Sequence, residues 1–75
     1  MIYEYLFPQI EKLKDKPLRS DEIMKALNQA ELFPLHLRVD NHNGQVFVYF
    51  DEELNKKGKS QLDATINEIF KRWLE

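Results

Sequence analysis

Gly58-Lys59-Ser60 is the closing triplet of a phosphate-binding loop, in which backbone amides cradle phosphate oxygens and the lysine reaches the outer phosphates. The full motif needs a second glycine five positions earlier, and Glu53 stands there instead. The segment also lacks the preceding βαβ unit, so the match is one of chance. His36 and His42 are the only imidazoles, and strand alternation places His36 on the same face as Asp40. That is short of the ligand count a zinc site requires, and solvated histidines with no metal are expected. Asp51-Glu52-Glu53 offers carboxylates for a cation or for acid–base work, but nothing constrains two of them into a catalytic pair. Placed before the last helix, they are read as charges that favour its N-terminus. Ser20 has no recognisable histidine and carboxylate partners, so helix capping outranks nucleophilic chemistry. From these residues we expect no enzyme and no cofactor.

The remaining candidates are Arg38, Phe47 and Tyr49, with His36 and Asp40 nearby. They share one face of a segment, Leu35 to Phe50, that reads as a β-hairpin around Asn43-Gly44. A two-residue turn there sets Arg38 opposite Tyr49, Asp40 opposite Phe47 and Val39 opposite Val48. A four-residue loop from Asn41 to Gly44 pairs Val39 with Val46 and Leu37 with Val48. Both registers keep Leu35, Leu37, Val39, Val46, Val48 and Phe50 on one face, whereas a three-residue loop would mix the faces. An exposed face of aromatics and arginine suits either a protein partner or the stacking of single-stranded bases. Against exposure, Tyr3, Tyr5 and Phe7 are expected to cover it, Phe47 more than Tyr49.

The other elements must position that hairpin. In Met1 to Lys16, Ile2, Leu6, Ile10 and Leu13 have helical spacing, while Tyr3, Tyr5 and Phe7 alternate as a strand would. We favour a helix with Pro8 near its start. The other reading is a strand from Tyr3 to Phe7, followed by a short helix that Pro8 opens and that ends at Lys14. After the connector Lys16 to Arg19, Ser20 is the expected N-cap of a helix from Asp21 to Glu31, striped by Ile23, Ala26, Leu27 and Ala30 and ended before Pro34. Asn55 is the expected cap of the last helix, although Gly58 weakens its first turn. Leu62, Ile66, Ile69, Phe70 and Trp73 form its stripe, and Glu68 and Arg72 are spaced for an ion pair.

Seventy-five residues make one small domain, 1–75, without cysteine and therefore without disulfides or thiolate metal sites. A hydrophobic fraction of 43% with 32% charged residues is the balance of a folded chain rather than a disordered one. The net charge of −2 lacks the basic surplus of a nucleic-acid binder. No apolar run approaches a membrane span, and the N-terminus lacks a basic region followed by an apolar one. A soluble, cytoplasmic protein without membrane association is expected.

Lys16-Pro17-Leu18-Arg19-Ser20-Asp21-Glu22-Ile23, the hairpin end Val46-Phe47-Val48-Tyr49-Phe50, and Asp51-Glu52-Glu53-Leu54 followed by Gln61-Leu62-Asp63-Ala64 together resemble short accessory proteins encoded among tailed-bacteriophage structural genes. The resemblance leaves the N-terminal segment unexplained. It implies a non-enzymatic phage or prophage protein that docks on a larger assembly, in the host cytoplasm or in the virion.

The expected fold is α+β: an N-terminal helix (or strand), a helix, an antiparallel β-hairpin, and a C-terminal helix packed on the hairpin. Its Leu62, Ile66, Ile69, Phe70 and Trp73 should meet Leu37, Val39 and Val48. The expected function is protein interaction, through a partner or self-association. The alternative is a small nucleic-acid-binding domain, winged-helix-like or stacking single strands on the hairpin face. Asp21 and Glu22 at the helix start oppose duplex DNA, so nucleic acid is not the expected partner.

Overall fold

A computed structural model describes all 75 residues. Strand β1 spans Ile2–Leu6, and a single turn of 3-10 helix follows at Ile10–Lys14. Helix α1 is Ser20–Gln29, strands β2 and β3 are His36–Asp40 and Gln45–Tyr49, and helix α2 is Lys56–Leu74. The strands form one antiparallel sheet in the order β1-β3-β2. The class is therefore α+β with a C-terminal helix, as the sequence suggests.

The N-terminal segment corrects the helical expectation, because its first element is a strand. Pairing decides between the two periodicities. An isolated hairpin would leave β3 with a bare edge, and β1 satisfies it from Ile2, opposite Tyr49, to Leu6, opposite Gln45. Ile2, Leu6 and Ile10, read as a helical stripe, are all exposed, and only Leu13 of that set is buried. Pro8 falls in the bend between strand and 3-10 turn, where it interrupts no ladder.

The hairpin takes the four-residue loop. Val39 pairs with Val46, Leu37 with Val48, Arg38 with Phe47 and His36 with Tyr49, so the tighter register is excluded. Side chains select it. Asp40 Oδ1 accepts from the backbone N–H groups of His42 and Asn43, while Oδ2 accepts from Asn43 Nδ2, closing an Asx-type turn. Asn41 Oδ1 accepts from Leu18 N–H at 2.7 Å, which anchors the loop to the connector. Gly44 takes φ +66° and its carbonyl accepts from Phe7 N–H; a Cβ there would lie 3.1 Å from Ile10 Cγ1. The turn glycine thus also admits close packing by the N-terminal segment.

Both helices cover one side of the sheet. Leu37, Val46 and Val48 form a single core there with Ile23 and Leu27 of α1 and Leu62, Ile66, Ile69 and Phe70 of α2. Phe7 completes it edge-on against Phe70, with ring centres 5.2 Å apart. Several expected positions move. Leu35 is 69% exposed, because the chain reaches the ladder only at its N–H bond to the Tyr49 carbonyl. Trp73 is half-buried at the far end of α2, where it packs against the edge of the core and lines an open depression with Lys16 and Pro17.

Helix boundaries shift as well. Helix α1 begins at Ser20 itself, with Arg19 at the N-cap position and no side-chain cap, and stops two residues earlier than expected, before Glu31 turns to φ +61°. At α2 the Asn55 cap is observed, its Oδ1 accepting from Gly58 N–H at 2.8 Å. The absence of a side chain at Gly58 leaves room for it, since a Cβ would sit 3.2 Å from that oxygen. Asp51, Glu52 and Glu53 precede the helix, whose first turn holds no acid, so the dipole does not account for them. Glu68 and Arg72 form no ion pair.

Candidate functional site: the open face of the sheet

Strand alternation sends Tyr3, Tyr5, Leu37, Val46 and Val48 toward the helices and their neighbours to the other side. Tyr3 and Tyr5 lie beside Val48 and Val46, so with Phe7 they belong to the core face. The expectation that these rings cover Phe47 and Tyr49 is overturned by strand parity. No helix packs on the outer face.

That face is a grid of three rows by three strands. The first row is Ile2, Tyr49 and His36; the middle row is Glu4, Phe47 and Arg38; the last is Leu6, Gln45 and Asp40. The sheet thus brings Arg38, Phe47 and Tyr49 together on a surface that no helix covers, with Arg38 exposed and the two rings half-buried. Arg38 sets its guanidinium 4.5 Å from the centre of the Phe47 ring, and His36 leans on Tyr49 at 5.3 Å. Gln45 Nε2 donates to Glu4 Oε2 at 2.9 Å. Ile2 and Leu6, at 55% and 64% exposure, extend the apolar content along β1. Met1 and Leu35 are also exposed, at the end of the sheet where Met1 and Tyr49 carbonyls accept from Phe50 and Leu35. Phe33, close in sequence, is exposed and has φ +48°, a conformation bulky side chains rarely take.

His36, Arg38 and Asp40 share this face, but His42 lies in the loop, and no group of three or more His, Cys, Asp or Glu is placed to hold a metal ion. The loop hydrogen bonds, led by the Asn43 side chain, hold the Asp40 carboxyl below its ordinary range. Its carboxylate is already engaged.

A second cluster, on the core side of β1, was not apparent from the sequence. Tyr5 Oη donates to Asp63 Oδ1 at 2.6 Å, and Lys59 Nζ donates to the same oxygen at 2.5 Å. Lys59 also lies 5.6 Å and 5.7 Å from the ring centres of Tyr3 and Tyr5. Tyr3 Oη accepts from Leu54 N–H. Lys59, then Tyr5, hold the Asp63 carboxyl low, while burial and then Asp63 push the Tyr5 phenol up. Spacing of Lys59 and Asp63 by four on a helix is legible, but their meeting with Tyr5 depends on β1 being a strand. Gly58-Lys59-Ser60 therefore lies in the first turns of α2, with its lysine committed to this clasp.

On α1, Asp21 and Glu22 lie beside Arg19 at 3.7 Å and 3.8 Å, and no further helix stands between α1 and β2. No helix is long and apolar enough to cross a membrane. Comparison with protein-family models, curated proteins and solved structures finds no match.

Proposed function

We propose that this chain is a non-enzymatic protein-interaction module that docks through the open face of its sheet. The observation that carries the reading is a three-strand surface left bare by both helices, on which aromatic, aliphatic and arginine side chains adjoin. Aromatics and arginine are the residue types that concentrate binding energy at protein interfaces. The resemblance to phage accessory proteins adds a context for such docking, a larger protein assembly. Stacking of single-stranded nucleic acid on Phe47 and Tyr49 is the competing use of this face, and Glu4 and Asp40 on the same face oppose phosphate there.

The test compares wild type with Phe47→Ala and Leu6→Glu by solution mass and by affinity capture from host extract. Leu6 is exposed, so its variant should keep the wild-type urea midpoint. The reading expects association by wild type and its loss in both variants. Association that survives both substitutions, or a wild type that associates with nothing, overturns it.

A further inference from the structure

We infer that the occupant of the open face is a second copy of this chain, related by a two-fold axis parallel to the strands. The inference rests on the docking reading above and adds the partner's identity and its orientation.

Charge placement carries it. In the middle row an acid, Glu4, stands on one edge strand, an aromatic, Phe47, on the central strand, and a base, Arg38, on the other edge strand. A two-fold axis along the strands between two facing sheets exchanges β1 with β2 and leaves β3 over β3. Glu4 of each copy then faces Arg38 of the other, twice per dimer, and the two Phe47 rings meet on the axis. Such a patch is complementary to itself, as a two-fold interface requires. The middle row is also the row least displaced by the twist of about 30° between packed sheets. Asp40, in the last row, has both carboxylate oxygens occupied by the loop, whereas Glu4 gives only Oε2 to Gln45 and keeps Oε1 for a partner.

The perpendicular two-fold axis is disfavoured by the same residues. It would set Glu4 against Glu4 and Arg38 against Arg38. A face of three strands and five residues measures about 14 by 17 Å. That is small for an interface, so the dimer should be weak, with a dissociation constant in the micromolar range or above.

Sedimentation velocity from about 10 µM to about 1 mM tests the inference on four chains. Wild type should pass from monomer to dimer across this range. Glu4→Arg and Arg38→Glu each create two like-charge pairs per dimer and should weaken it roughly tenfold or more. The double variant E4R/R38E recreates both opposite-charge pairs and should dimerise about as well as wild type. Glu4 and Arg38 are exposed, so urea midpoints measured on dilute samples should stay together. A wild type that remains monomeric throughout, single variants that dimerise normally, or a double variant that stays monomeric would each overturn the arrangement. If wild type is monomeric but captures another protein in a Phe47-dependent way, the self-association inference falls and the docking reading stands. If it does neither, both fall.

Discussion

Tyr5 Oη reaches Asp63 Oδ1 at 2.6 Å, joining the first strand to the last helix across 58 residues of chain. Lys59 closes the same carboxylate from the other side. Strand β1 is thereby fixed both by its ladder to β3 and by a polar clasp to α2, and its outward residues Ile2, Glu4 and Leu6 are held on the open face.

Tyr5→Phe should destabilise the fold by about 1 kcal/mol at pH 7, since one hydrogen bond to a partly solvated carboxylate is lost. The folded phenol titrates above its ordinary range. Its contribution is whole below the unfolded value of about 10 and fades as pH rises from there toward the folded value. Urea midpoints from pH 7 to about 11 should therefore converge for wild type and variant. A constant gap would mean that the phenol does not carry the difference.

Asp63 gives the opposite arm. Its folded carboxyl is held low by Lys59 and Tyr5, so its stabilisation is present above the unfolded value of about 3.9 and is lost as pH falls through the folded one. Asp63→Asn should be less stable than wild type at pH 7, and its stability should fall less steeply in acid. Acid titration followed by circular dichroism measures both slopes, and equal slopes would remove Asp63 from the account.

Ile66 is fully buried between sheet and helices, whereas Trp73 is half-buried at the end of α2. Ile66→Ala should cost about 2–5 kcal/mol, and Trp73→Ala clearly less than the ~3–5 kcal/mol of a fully buried ring. Urea denaturation that ranks Trp73 above Ile66 would contradict the observed packing.

Much of this fold is legible where one periodicity acts alone. The alternation from Leu35 to Phe50 and the stripe of Leu62, Ile66, Ile69, Phe70 and Trp73 bury largely as their spacing implies, apart from Leu35, exposed at the hairpin's open end, and Val39 and Trp73, which are half-buried. Met1 to Lys16 carries two periodicities at once, and the free edge of β3, a tertiary fact, selects the strand. The hairpin register is hidden for a related reason. Asp40 builds the four-residue loop through its side chain, which apolar alternation does not report. Arg38, Phe47 and Tyr49 can be grouped from the hairpin pattern alone. That Arg38 is exposed and the Phe47 and Tyr49 rings are half-buried with no helix over them cannot be read there, because it depends on which way Tyr3 and Tyr5 point once β1 joins the sheet.

Site-specific photo-crosslinking measures most directly whether the open face is a docking surface. A photoreactive phenylalanine analogue replaces Phe47, and the same group at Asn67, exposed on α2, serves as the control. Docking predicts protein crosslinks from position 47, to a second copy or to another chain, and none above background from position 67. Equal or absent crosslinking at position 47, with the fold intact, would contradict it.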